Sequence, residues 1–195
     1  MKKHDQSQNA SKAGEKLQNI RQHLTKPVVL VGLMGAGKTQ LGRMLAAALD
    51  KPFVDSDDEI VNAAGMPIAD IFEKFGEPYF RDGERRVIKR LMDENAAVIA
   101  TGGGAVTSTE TADLIWRDAV SIWLHADVDT LYKRTAGNKK RPLLNNDNPK
   151  DVLKNLAEKR NPIYKKADIA IDTAQGNLRE ILDVIIDELD RYLEQ

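Results

Sequence analysis

Gly32-Leu33-Met34-Gly35-Ala36-Gly37-Lys38-Thr39 is the stretch whose reading decides the fold. It fits G-x-x-x-x-G-K-[ST], the phosphate-binding loop pattern. Val28-Val29-Leu30-Val31 precedes it, an apolar β-branched run that reads as a buried strand. Gln40 to Leu49 follows it, with Leu41, Met44, Leu45, Ala48 and Leu49 on one helical face. Glycines let the backbone turn tightly and aim successive N–H groups at a phosphate. The helix start adds unpaired N–H groups and the positive end of its dipole. Lys38 can reach the outer phosphates and the Thr39 hydroxyl suits Mg²⁺. Nucleoside triphosphate binding is therefore expected through Gly35, Ala36, Gly37, Lys38, Thr39 and Gln40. A Gly-rich turn that merely precedes a helix would not need the strand, the Lys and the Thr at these positions.

Away from the loop, the bulk properties narrow the class. The chain has 195 residues, 42% of them hydrophobic and 30% charged, with net charge −1. That is enough for one domain with a real core. The balanced charge argues against nucleic acid as a partner. Without cysteine, disulfides, thiolate catalysis and Cys-ligated zinc are excluded. No apolar run approaches bilayer-spanning length, and no charged-then-apolar run opens the chain, so a soluble cytoplasmic protein without a membrane partner is expected. Residues 1–25 are polar and read as a solvated, partly disordered extension, although Leu17, Ile20, Arg21 and Leu24 can form an amphipathic turn or two. The domain is expected to begin near Lys26 and to run over 26–195.

Beyond the first helix, Phe53-Val54-Asp55-Ser56-Asp57 gives a brief strand ending in acids. On a strand, Asp55 and Asp57 would share one face, at the crevice where ligands bind in α/β sheets. There Asp55 could hold Mg²⁺ through water and Asp57 could take a hydrogen bond or proton from a substrate hydroxyl. Helix N-capping is the competing use of these acids, and it suits Asp58 and Glu59 best. Residues 58–92 read as helical, broken at Gly65, Pro67, Gly76 and Pro78, with Ile68, Ile71, Phe72 and Phe75 as a packing stripe. Phe80, Arg81 and Glu84 fall within one turn. The Arg–Glu pair is either a held carboxylate receptor or an exposed i, i+3 pair, and spacing alone favours the latter.

Ala96–Ala100 is the third strand and runs into Gly102-Gly103-Gly104, where backbone can approach a ligand closely. Val120–Leu124 is the fourth, with Trp123 in the core and no role for His125. A helix from Val128 to about Thr135 leads to a basic, Pro-bounded loop, about 136–149, that reads as a lid. Arg134 and Arg141 flank it and can clamp phosphates on closure, unless the loop is simply a solvated basic one. Lys150–Lys165 is helical, Asp168–Asp172 is the fifth strand, and Leu178–Leu193 is the closing amphipathic helix. Strands alternating with helices predict a single α/β domain with a parallel sheet covered on both faces.

Taken together, Gly32–Thr39, Asp55-Ser56-Asp57, Phe80-Arg81 with Glu84, Gly102-Gly103-Gly104-Ala105-Val106, Arg134-Thr135, Arg141-Pro142-Leu143-Leu144 and Arg160-Asn161-Pro162-Ile163-Tyr164 resemble the shikimate kinase family, in that family's order, from Lys26 onward. The resemblance implies a three-layer P-loop fold with a five-stranded parallel sheet in order 2-3-1-4-5, a substrate-binding insertion over about 56–92 and a lid. It implies transfer of the γ-phosphoryl group of ATP, with Mg²⁺, to the 3-hydroxyl of shikimate, by a protein expected to act as a monomer. By position it implies Asp57, Lys38 and Arg141 as catalytic. Asp57, Arg81, Glu84, Gly102, Gly103, Gly104 and Arg160 would surround shikimate. Lys38, Arg134 and Arg141 would join the loop in holding ATP, and Thr39 and Asp55 would hold the metal. Two departures stand out: Ala136 where Gly is common before the lid, and Thr173-Ala174-Gln175-Gly176 where some relatives place an Arg against adenine. The competing readings are a gluconate-type kinase, which would not be expected to carry Asp55-x-Asp57 with the three glycines and Arg160; a nucleotide switch, for which Asn138-Lys139-Lys140-Arg141 lacks the Asp of N-K-x-D; and an inactive binding module, which would more readily have lost Lys38 or Asp57.

Overall fold

The fold is built around β1 (Val28–Val31), four apolar residues that are all buried. The computed structural model describes residues 2–94, 97–136 and 148–195, with 2–11 described by their backbone alone. β1 lies at the centre of a five-stranded parallel sheet in the order β2-β3-β1-β4-β5, as expected. β2 (Phe53–Asp55) and β3 (Val98–Ala100) lie on one side, and β4 (Val120–His125) and β5 (Ile169–Asp172) on the other. Registration sets Asp55 beside Ala100 and Ala100 beside Leu30. The segments that follow these three positions therefore leave the sheet together: the Gly32 loop, Ser56-Asp57, and the run Thr101–Gly104. This is the carboxyl edge at which open α/β sheets bind ligands.

Helices complete the three layers. α2 (Lys38–Leu49) follows the loop, and α8 (Leu178–Leu193) closes the chain, burying Ile181, Leu182, Ile185, Ile186 and Leu189 behind an Asn177–Glu180 capping box. α5 (Thr109–Asp118), capped by Ser108, packs on β4 and on α4 (Ile68–Asp93). No helix among the described residues is long and apolar enough to cross a membrane.

Three expectations are corrected. First, the polar N-terminal segment is not a solvated extension along its length, because Lys2–His23 forms a helix, α1, against α2 and α8. Ile20 is fully buried and Leu24 nearly so. Leu17, Ile20 and Leu24 make a narrow stripe at helical spacing, and neighbouring helices provide the cover that the segment lacks alone. Lys16 pairs with Asp187 at 2.7 Å, Asn19 donates to Asp190 at 2.6 Å, and Arg21 donates to the Ala48 carbonyl at 2.7 Å. The packed unit thus begins before Lys26.

Second, β2 stops at Asp55, and Asp57 lies in the first turn of α3 (Ser56–Ala64) rather than on a strand. Asp55 itself is the cap, accepting from the Asp57 N–H at 3.1 Å. Asp58 and Glu59 sit in the first turn, where they complement the dipole without capping.

Third, the stripe in α4 ends early. Ile71 is buried with Ile60 and Phe80, and Ile68 and Phe72 pack beside them. Phe75 is 49% exposed and lies against exposed Tyr79, ring centroids 4.7 Å apart. Gly76, at φ 79° and ψ 172°, breaks the helix directly after Phe75, so the face does not continue through it.

Candidate active site

The loop geometry follows from its glycines. Gly32 has φ 138°, and a Cβ there would lie 2.2 Å from the Leu124 carbonyl oxygen, so only glycine lets β1 turn beside β4. Gly37, at φ 96°, is the cap residue of α2 and offers no side-chain acceptor. The first N–H groups of α2 therefore remain available to an anion. Lys38 Nζ donates to the Gly32 and Leu33 carbonyls at 2.7 and 3.0 Å, which holds its charge at the mouth of the loop. Gln40 follows on the exposed side of the first turn.

Two hard oxygen donors meet beside that turn. Thr39 Oγ1 donates to Asp55 Oδ2 at 3.0 Å, while Asp55 Oδ1 is engaged with the Asp57 N–H. A hydroxyl and a carboxylate oxygen this close suit Mg²⁺, which takes few protein ligands and fills its shell with water and phosphate oxygens.

Asp57 faces the glycine run. Burial raises its carboxyl above the ordinary range, the neighbouring Asp55 charge raises it further, and Lys38 and Arg81 pull in the opposite direction. Gly102 comes so close that a Cβ there would lie 2.6 Å from Asp57 Oδ1 and 3.3 Å from Glu84 Oε1. The Gly102 N–H donates to Ser56 Oγ at 3.3 Å, and Thr101 Oγ1 donates to the Leu30 carbonyl at 3.0 Å. Glycine is needed at 102 for closeness, not for backbone freedom.

Across the run stands Arg81. Its Nη1 donates to Glu84 Oε2 at 2.7 Å, and its Nε and Nη2 reach Glu77 at 3.3 and 3.1 Å. Glu84 is 1% exposed, so this is no surface pair, contrary to what its spacing favoured. Burial raises the Glu84 carboxyl, and Arg81 and Arg160 oppose that rise. Burial also works against the Arg81 cation, but Glu84 and Glu77 outweigh it and the guanidinium is held above its ordinary value. A half-buried guanidinium with one carboxylate at 2.7 Å and a second at 3.1 Å keeps its proton. A Cβ on Gly104 would lie 2.6 Å from Arg81 Nη2. Arg160, on α7 (Pro149–Tyr164), donates to the Gly103 carbonyl at 2.8 Å.

The structure thus brings Asp57, Arg81, Glu84, Gly102, Gly103, Gly104 and Arg160 to one crevice beside Lys38, Thr39 and Asp55. Arg134, at the end of α6 (Val128–Thr135), stands at the far side of the loop. It donates to the Gly35 carbonyl at 3.4 Å, to Thr173 Oγ1 at 3.0 Å and to the Thr173 carbonyl. Arg141 and most of the expected lid lie outside the described residues. Sequence reading gave no individual role to Ser56, Glu77, Tyr164 or Thr173. Tyr164 closes the Arg160-Asn161-Pro162-Ile163-Tyr164 run, Ser56 lies inside Asp55-Ser56-Asp57 and Thr173 opens the stretch that departs from some relatives; Glu77 carried no signal.

The family model "Shikimate kinase" matches residues 34–190. The chain belongs to the shikimate kinase family. A shikimate kinase from Novosphingobium aromaticivorans is 43% identical over 185 residues, spanning 93% of this chain and 96% of that one. One from Caulobacter vibrioides is 52% identical over 148 residues, 76% of this chain and 74% of that one. A solved shikimate kinase from Acinetobacter baumannii, in complex with shikimate, superposes with a TM-score of 0.81 at 39% identity, covering 86% of this chain and 94% of that one. Shikimate kinase membership sets aside the gluconate-type kinase, and the retained Lys38 and Asp57 leave little reason to favour a switch or an inactive module.

Proposed function

We propose that this chain is an ATP-dependent shikimate kinase, transferring the γ-phosphoryl group to the 3-hydroxyl of shikimate to give shikimate 3-phosphate and ADP. The observation that carries this reading is the buried Glu84 holding Arg81 across the glycine run from Asp57, with Arg160 beside it. An anionic ring bearing hydroxyls needs fixed guanidinium groups at one end and an oxygen acceptor at the other. Arg81 and Arg160 take the carboxylate and ring hydroxyls, Glu84 orients Arg81, and Gly102, Gly103 and Gly104 let the ring approach backbone.

Asp57 accepts a hydrogen bond from the 3-hydroxyl and directs its oxygen at the γ-phosphorus. A new phosphorus–oxygen bond forms there as the bond to the β-phosphate bridging oxygen breaks, and the hydroxyl proton passes toward Asp57. Burial, by raising the Asp57 carboxyl, brings it closer to a useful proton acceptor. Gly35 to Gln40 cradle the phosphates, Lys38 swings from its carbonyls onto the outer ones, and Arg141 joins from the lid. Arg134 lies on the nucleotide side. Thr39 and Asp55 hold Mg²⁺, which when bound offsets phosphate charge. The same reading takes residues 26–195 with α1 as one kinase domain, acting as a cytoplasmic monomer. Catalysis is then chiefly positioning and charge neutralisation.

ADP release, coupled to a second enzyme, is to be measured with MgATP and shikimate, gluconate, a nucleoside monophosphate or water alone. Turnover with shikimate and background rates with the rest is expected. Turnover with another acceptor and none with shikimate overturns the proposal.

A further inference from the structure

Tyr164 closes α7 and is buried to 1% exposure, its ring stacked on Trp123 with centroids 6.0 Å apart. Its hydroxyl is not idle in that apolar setting. It donates to the Gly103 carbonyl at 2.5 Å, and the same oxygen accepts from Arg160 Nη1 at 2.8 Å. A backbone carbonyl has two lone pairs, so these two donors fill it. Burial pushes the Tyr164 hydroxyl up to about 12, so it is a donor throughout the physiological range.

We infer that Tyr164 is a positioning residue for the acceptor side of the site, fixing the Gly103 carbonyl and, through it, the direction in which Arg160 points. The inference rests on the proposed reaction, in which Arg160 and Gly103 face shikimate. Arg160 is only part-buried and its long side chain has many rotamers to lose. Its anchor is a carbonyl in a run of three glycines, a backbone with little stiffness of its own. Tyr164 reaches that carbonyl from the core side, where packing against Trp123 locks the ring. A donor on a rigid ring therefore steadies the acceptor, and the acceptor steadies the guanidinium. Gly103 also lies against the phosphate loop, where a Cβ would meet the Gly32 carbonyl oxygen and the Met34 nitrogen at 3.5 Å, but the hydrogen bonds from Tyr164 and Arg160 converge on its carbonyl, so the effect is expected chiefly on shikimate.

Tyr164→Phe keeps the ring and its stacking and deletes the hydroxyl. Loss of one buried hydrogen bond of this kind corresponds to roughly a five- to tenfold weakening. The expected result is that rise in the KM for shikimate, the same rise in its Kd read from tryptophan fluorescence, and a KM for ATP within about twofold of wild type. In an Arg160→Lys background the increment from Tyr164→Phe should shrink to below about twofold, since the group it steadies is gone. Equal rises for both substrates, full additivity with Arg160→Lys, or an unchanged shikimate KM overturns the role. So does an insoluble Tyr164→Phe protein, which would make the hydroxyl a requirement of the fold itself. Absence of shikimate turnover by the wild type would overturn the proposed reaction, and this role with it.

Discussion

Gly102→Ala separates catalysis from stability in this site. The new Cβ would lie 2.6 Å from Asp57 Oδ1 and 3.3 Å from Glu84 Oε1. Non-bonded carbon–oxygen contacts settle at about 3.3 Å or beyond, so the Asp57 oxygen has to retreat by about 0.7 Å while Glu84 stays where it is. That oxygen is the end of a side chain, and a rotation about its torsions relieves the overlap at small cost to the fold. Placement of the reacting groups is less forgiving: a displacement of about 1 Å costs on the order of 100-fold in rate, so 0.7 Å corresponds to about 10- to 50-fold. Steady-state ADP release should show kcat lowered by that factor, with the KM for ATP within about twofold and the thermal midpoint within about 2 °C of wild type. In an Asp57→Asn background the same substitution should add little, because the displaced group has already lost its function. A Gly102→Ala protein with normal kcat, or one with a lowered midpoint and a proportionate loss in every parameter, would refute the reasoning.

Other substitutions probe neighbouring links. Gly104→Ala places a Cβ 2.6 Å from Arg81 Nη2, so it should raise the KM for shikimate by about tenfold with a smaller effect on kcat; a kcat defect alone would remove Arg81 from the binding role. Ile20→Ala removes a fully buried side chain of α1, costing about 2–5 kcal/mol, and should lower the thermal midpoint by about 5–15 °C; a shift below 1 °C would mean that α1 does not belong to the core. Tyr164 predicts alkaline sensitivity: its hydroxyl titrates near 12 when folded and at 10.0 when free, so the protonated form favours the fold. That contribution is whole below pH 10 and is lost as the pH rises toward 12, by about 1 kcal/mol at pH 11. Urea denaturation between pH 9 and 11 should show the decline in wild type and a shallower one in Tyr164→Phe, and parallel declines would count against it.

How far the sequence spoke depended on whether a pattern was local. The Gly32–Thr39 loop, with an apolar run before it and a periodic run after, announces strand, turn and helix within about twenty residues, and β1 and α2 follow it closely. Asp57 was legible as a candidate site residue but not as a helical one, because Asp55 could be read as strand or cap and only the capping bond to the Asp57 N–H decides. The burial of Glu84 was invisible, since an Arg–Glu pair three apart looks the same on a surface as under a glycine loop. Phe75 failed for the opposite reason: its spacing was correct, but Gly76 ends the face it would have extended. The helix Thr109–Asp118 went unread although Ser108 supplies its cap and Ala112 and Ile115 its buried face. Leu17, Ile20 and Leu24, in and just after α1, were too few to announce a helix, and partners that cover them on α8 lie far along the chain.

That distance has a consequence for how the protein is made. Lys16 and Asp187 are 171 positions apart, as are Asn19 and Asp190. At about 5–20 residues per second, the ribosome finishes the distal partners roughly 10 to 35 seconds after the proximal ones. Through that interval Leu17, Ile20 and Leu24 lack their cover from α8. α1 is synthesised well before the α8 residues that secure it, and slow translation of the intervening stretch prolongs the nascent chain's exposure to chaperones, proteases and its own neighbours.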